Sequence, residues 1–428
     1  MRKFWLFVAL ALAAAAPGVL LRLGGAHLSP VADAGIAGLA ILAAGFLLSW
    51  GVEAAEEHVS RGLALAGLAL VTVLPEFVVD FYYAFHGGQQ PGSDYVQFAA
   101  ANMTGANRLL VGAGWPVIVL LYWWRSGKKS VDLAWDNAVE ISYLALGSLY
   151  AFVIVLKGRI DWFDALALFA IFAAYLWRLA KLPTRAEQAD DEDEQEVGPG
   201  AALATLPRTQ QFVLIAALAV VAGAIIVSQA QSFAEGLIEA AGAIGLNKFL
   251  LIQWVSPLAG EMPEIIIMIL FTLALRPGYA LGALISDKIN QWTLLVGALP
   301  LVFSLGTGAL TPLPLDARQG EEFFLTAAQS LFAVALLLRL RLSLRSAVIL
   351  LGLFLVQLGI GSVYQHDAAR TVQLLTAFAW LYLALALGLL GLNWRQFLDY
   401  VRIGLLNRAA VSDPRIRPPA AASPPDGY

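Results

Sequence analysis

Two Pro-Glu pairs, Pro75-Glu76 and Pro263-Glu264, stand in the middle of two long apolar stretches, one in each half of the chain. A carboxylate at membrane depth is costly and marks a functional site by default. The proline beside it has no N–H, so a carbonyl one turn earlier loses its donor. Those carbonyls belong to Val71 and Ala259. Carboxylate and carbonyl oxygens together make a hard-oxygen environment that suits Na⁺ or Ca²⁺. Glu261 lies three residues before Glu264, and Asp80 four after Glu76, so each shares a helix face with its neighbour. Carboxylates that converge in a low dielectric repel one another. A cation neutralises them, one takes a proton, or a fixed Arg or Lys pairs with them. Arg108 and Lys288 make the third option available. A Lys facing a carboxylate, displaced by incoming Na⁺ or H⁺, is a physical basis for ion–proton exchange as well as for ion–ion exchange.

The elements that must position these groups follow from composition. Of 428 residues, 59% are hydrophobic and 14% charged, where a soluble chain carries about a quarter charged. Mean hydropathy is +0.73. The expected fold class is an all-α polytopic membrane protein. Twelve spans of membrane length are legible, at about 4–22, 31–52, 62–86, 95–124, 132–156, 161–181, 208–232, 246–273, 279–307, 321–338, 346–364 and 371–392. The first, with Arg2-Lys3 before it and Ala13–Gly18 after it, also has the features of a signal peptide, whose removal leaves eleven. Lys and Arg concentrate in alternate loops, which predicts cytoplasmic termini if the first segment is retained. A bacterial cytoplasmic membrane is the expected location. There is no cysteine, and His27, His58, His86 and His366 form no ligand set. No basic patch interleaved with aromatics supports nucleic-acid binding. No intramembrane protease motif and no Walker loop supports an enzyme or a primary pump.

The chain repeats itself. Val52 to Glu76 is set against Ser232 to Glu264, and Leu109–Gly114 against Leu294–Leu299. Asn102 falls opposite Asp287 and Asn107 opposite Trp292. Five spans separate the copies, so they have opposite orientation, as in many secondary transporters. The predicted organisation is an extra helix or signal sequence at 1–30, a first repeat of five helices at 31–184, and an acidic cytoplasmic linker at 185–207. A second repeat at 208–364, an extra helix at 365–394 and a tail at 395–428 with a disordered end complete it.

These motifs resemble those of the cation/Ca²⁺ exchanger superfamily, which includes the sodium/calcium exchangers. The family pattern Gly-Thr-Ser-Leu-Pro-Glu reads Val71-Thr72-Val73-Leu74-Pro75-Glu76 in the first copy and Ala259-Gly260-Glu261-Met262-Pro263-Glu264 in the second. The resemblance implies a secondary active cation antiporter working by alternating access, sodium/calcium or cation/proton. It would need no cofactor and would carry Ca²⁺, Na⁺ or H⁺, with small inorganic ions and the bilayer as its partners and no protein partner implied. The ion site expected is Glu76 and Glu264 as metal ligands, with Glu261, Asp287, Thr72, Asn102, Asn107 and Asn290 around them. Arg108 and Lys288 are the charge-pairing or ion-substituting groups. Family ligand positions are occupied by Leu110 and Leu295, and Glu261 is an added carboxylate. A changed substrate (a proton, a monovalent ion or an anion) therefore stays open, as does a non-transporting scaffold or sensor. Asp132, Asp136 and Glu140 read as a helical stripe that could form an ion-access path.

Overall fold

The computed structural model describes residues 1–26, 28–55, 73–134, 137–181, 199–402 and 405. Among them, eleven helices are long and apolar enough to cross a membrane. Helix is the expected outcome, because in lipid each backbone N–H and C=O must be satisfied within its own segment. In chain order the helices are α1 (Arg2–Gly24), α2 (Pro30–Ala55), α3 (Leu74–Gln89), α4 (Tyr95–Leu109), α5 (Trp115–Ser126), α6 (Asn137–Lys157) and α7 (Trp162–Leu179). The second half holds α8 (Arg208–Ile244), α9 (Lys248–Leu273), α10 (Pro277–Asn290), α11 (Val296–Thr307), α12 (Ala317–Leu337) and α13 (Leu344–Val363). The helices α14 (Ala368–Leu392) and α15 (Trp394–Val401) follow. One span runs through α4 and α5 and another through α10 and α11, each joined by a π-helical turn, Leu110–Gly114 and Gln291–Leu295. The expected span 62–86 begins outside the described residues, and its described part is α3. The acidic linker lies largely outside them too, as do Thr72 and the end of the tail.

The inverted repeat is visible in the connections. Four short strands, β1 (Ser130–Asp132), β2 (Arg159–Ile160), β3 (Leu313–Pro314) and β4 (Arg341–Ser343), pair antiparallel as β1 with β4 and β2 with β3. The repeat equates β1 with β3 and β2 with β4, so exchanging the halves turns one ribbon into the other. Helices α5 and α11 both end on a glycine in the left-handed region, Gly127 at φ 73° and Gly308 at φ 71°. Capping boxes at Asp161 and Asp316 start α7 and α12. Among the described residues, α1, α14 and the short α15 stand outside the two sets of five.

Small residues let these helices approach, because in lipid the packing between apolar surfaces replaces the hydrophobic drive. A Cβ on Gly105 would meet the Gln253 carbonyl of α9 at 1.9 Å. Where α3 crosses α11, a Cβ on Gly88 would lie 2.2 Å from the Phe303 carbonyl, and one on Gly306 would lie 2.1 Å from that of Phe85.

One expected element is corrected. The fifth span opens at Asn137 instead of 132. Asp132 belongs to β1, where its carboxylate is exposed and pairs with Arg341. Asp136 lies outside the described residues, and Glu140 is buried and accepts from Asn137 Nδ2 at 2.7 Å. No continuous helical acidic stripe exists there, because Gly127 ends α5 and the ribbon takes up the next residues. The close α3–α11 crossing predicts that Gly306→Leu lowers thermal stability in detergent by about 1–3 kcal/mol, the usual penalty of overpacking. Gly352→Leu, at a position with open space around it, is expected to stay within about 0.5 kcal/mol of wild type in the same melting experiment.

Candidate ion-binding site

The two Pro-Glu segments meet at the centre of the molecule. Pro75 occupies the first turn of α3, where its missing N–H leaves no helix hydrogen bond unmade. Pro263 sits inside α9 and offers no N–H to the Ala259 carbonyl. The next residue, Gly260, faces Glu76: a Cβ there would stand 3.5 Å from the Glu76 Cβ. On the other side of α9, the Pro263 ring lies against Gly45 of α2, where a Cβ would meet its Cγ at 2.5 Å. Glycine at 45 is thus what allows α2 and α9 to approach at the level of the carboxylates, while Gly260 packs against Glu76 at ordinary contact distance.

Glu261, Glu264 and Asp287 form one buried cluster, with an oxygen from each within 4.8 Å of the others. Glu76 joins it through Gln291, whose Nε2 donates to Glu76 Oε2 at 2.9 Å and also to Glu261 Oε1. Glu76, Glu261, Asp287 and Gln291 are all at most 2% exposed, and Glu264 is 5% exposed. One turn along α3 from Glu76, Asp80 accepts from Asn102 Nδ2 of α4 at 2.9 Å. Of the expected site residues, the fold therefore brings Glu76, Glu261, Glu264 and Asp287 together and puts Asn102 on Asp80. Asn290 is fully buried beside Gln291.

The two cations are placed differently from the expectation. Lys288 Nζ donates to the Asn107 carbonyl at 2.9 Å and to Asn107 Oδ1 at 3.1 Å, and makes no direct ion pair with the cluster among the described residues. Arg108 forms its salt bridge with Glu322 of α12, and its guanidinium lies 5.0 Å from the centre of the Trp254 ring. Arg318 closes this second network on Glu321 at 3.2 Å and on Glu322. The helix periodicity points Arg108 away from the carboxylates of α9, which is why its counter-charge comes from another helix.

Sequence reasoning missed Gln291, Glu321 and Glu322. Gln291 follows Asp287 by four residues, the spacing of one helix face, and that signal was available. Glu321-Glu322 stand at the first two positions of the span expected at 321–338. The helix starts four residues earlier, at Ala317, which takes Glu322 inside, where it is fully buried. Glu322→Gln leaves the Arg108 charge short of its partner, and about 3–5 kcal/mol of stability is expected to go with it. Combining Arg108→Met with Glu322→Leu removes both charges and is expected to recover most of that loss. Thermal unfolding of the three purified proteins decides the point.

Residues 34–181 and 212–363 match the family described as Sodium/calcium exchanger protein. No match was found among curated proteins. Among solved structures, the H⁺/Ca²⁺ exchanger CAX is 37% identical over 94% of this chain and 98% of its own, with a TM-score of 0.85. The sodium-calcium exchanger NCX_Mj, soaked with 2.5 mM Na⁺ and 10 mM Sr²⁺, is 17% identical over 77% of this chain and 98% of its own, with a TM-score of 0.52. The same exchanger soaked with 10 mM Na⁺ and zero Ca²⁺ is 18% identical, also with a TM-score of 0.52. At that identity the likeness concerns the fold. With both repeats matched by the family and a relative this similar along nearly its whole length, the chain belongs to the sodium/calcium exchanger family, in the cation/Ca²⁺ exchanger superfamily.

Proposed function

We propose that this cation antiporter exchanges Ca²⁺ for H⁺, with Glu76, Glu261, Glu264 and Asp287 as the shared binding site. The observation that carries the reading is the convergence of these buried carboxylates, with a neutral amide, Gln291, as the donor that links two of them. Several carboxylates cannot stay ionised together in a low dielectric without counter-charge. A divalent cation or protons supply that charge, and each excludes the other. Competition for one set of oxygens is the elementary requirement of exchange. One oxygen from each of Glu261, Glu264 and Asp287 lies within 4.8 Å of the others, close enough for a single cation to reach all three.

The proton is favoured over Na⁺ as the counter-ion for two reasons. Leu110 and Leu295 are buried at the positions where the family pattern has Asn or Asp, so two neutral or acidic oxygens are missing. The relative that matches at 37% identity is an H⁺/Ca²⁺ exchanger. Asn102 then serves the site by holding Asp80, and Asn107 by holding Lys288. Gln291 orients Glu76 and Glu261. Thr72 is proposed as a further oxygen donor on the Pro-Glu segment. No enzymatic step or cofactor enters this scheme. The distribution of Lys and Arg supports cytoplasmic termini if the N-terminal segment is retained; the membrane proposed is the bacterial inner membrane.

The test is uptake of radioactive Ca²⁺ into proteoliposomes. An acidic interior, with protons running outward, is expected to drive accumulation, and an outward Na⁺ gradient at uniform pH is not. Glu76→Gln and Glu264→Gln are each expected to cut the pH-driven rate by roughly a hundredfold, the effect of losing one buried charged ligand. Accumulation driven by Na⁺ alone would overturn the proton assignment. Unchanged rates in both variants would overturn the site. Lowering the pH on the Ca²⁺ side is expected to raise the apparent KM for Ca²⁺, since protons compete for the same oxygens.

A further inference from the structure

A crevice of about 860 Å³ runs between α1, α2 and α9, and Glu264 of the carboxylate cluster reaches its wall. Its described lining is mostly apolar, with Phe7, Phe46 and Ile267 among its walls. A few polar groups interrupt it. Arg2 and Lys3 line it where α1 begins, Ser49 and Tyr279 add hydroxyls, and Glu264 lines it on α9. Between Arg2 and Ala14 the crevice follows α1 for about 18 Å at 1.5 Å per residue. Ala11 and Ala15 of α1 are buried while Phe7 and Leu10 are exposed, so the slot is bordered by side chains that stand out into the bilayer.

We propose that an anionic phospholipid seats in this crevice, its headgroup on Arg2 and Lys3 and one acyl chain running down to the level of Glu264. The charge pattern selects the class of ligand. Two cations at a membrane surface attract an anionic headgroup, and long basic side chains reach the interface by snorkelling. A mostly apolar slot of this volume, with its basic groups at one end, has the form of a lipid or detergent site more than that of a path for a hydrated ion. A hydrated Ca²⁺ would have to pass those two cations and shed water against walls that offer it few oxygens. The acyl chain would instead cover the outer side of α9 at the Pro263-Glu264 step and keep water from reaching the site sideways. The proposal needs only that the protein lies in a bilayer. It does not depend on which ions are exchanged.

The experiment is native mass spectrometry of the full chain, extracted from vesicles containing equal amounts of phosphatidylcholine and phosphatidylglycerol. Wild type is expected to retain phosphatidylglycerol with a roughly 30-fold preference, the effect of two basic side chains beside an anionic lipid. Arg2→Ala combined with Lys3→Ala is expected to abolish the preference. Ala14→Phe keeps both charges and fills the slot, so it is expected to abolish retention as well. Leu10→Trp at the border is a second filler should Ala14→Phe unfold, and thermal melting reports whether each variant is folded. Equal retention of the two lipids by wild type would overturn the proposal. So would a preference that survives the filled slot, because the headgroup would then be held at the surface alone. Ca²⁺ uptake by the Arg2/Lys3 variant is a separate reading: a loss of lipid with normal pH-driven uptake would leave the exchange function standing and confine the lipid to a structural role.

Discussion

Placing several carboxylates within one ion's reach, inside a membrane, is the constraint on which the rest of this molecule depends. Mutual repulsion and lost hydration both oppose it. Backbone chemistry contributes to meeting the demand. Glycine at 45 leaves room for the Pro263 ring between α2 and α9, and proline at 75 and 263 fixes where the helices begin or lose a donor. The strong basic groups nearby are committed elsewhere. Lys288 is held by amide oxygens of Asn107, and Arg108 by Glu322. Neither of these two cations is thereby spent on Asp287, whose carboxylate stays available to an ion or proton that arrives from water.

The two π-helical turns belong to the same constraint. A π turn adds one residue to the helix and shifts the faces presented beyond it. In the second half the turn starts at Gln291, the residue that reaches Glu76 on α3 and Glu261 on α9 at once. In the first half the turn starts at Leu110. The repeat is thus close in backbone plan and unequal in chemistry. One copy gives the cluster three carboxylates and an amide, the other a single carboxylate with Asp80 one turn away.

Much of this was legible before any coordinates. The spans, their pairing into inverted repeats, and the meeting of Glu76, Glu261, Glu264 and Asp287 follow from apolar length and from two Pro-Glu segments in matched positions. What escaped depends on facts that a 3.6-residue period does not carry. The partner of Arg108 depends on which neighbouring helix packs against α4, and that is a property of the whole bundle. Glu322 stood at the edge of the span expected at 321–338, while the capping box at Asp316 starts the helix earlier. Asp132 was read into a helix because nothing in its charge pattern distinguishes a helical face from a two-stranded ribbon. Gln291 is neutral, so no cost of burial drew attention to it, although its spacing from Asp287 was plain.

The two ribbons have a mechanical consequence. Each joins a strand of one repeat to a strand of the other, β1 to β4 on one face of the membrane and β2 to β3 on the other. A paired register moves only in whole residues, about 3.3 Å at a time, and a one-residue slip turns every side chain to the opposite face. The ribbons therefore act as stitches that resist small sliding. They tie α6 and α7 to α12 and α13 at both surfaces, so these four helices form a frame that the sequence boundary between the repeats does not divide. Neither α2 nor α8 carries such a stitch at a described end. They pack on each other along their length, so whatever rigid-body freedom the molecule has runs across its two genetic halves, not between them.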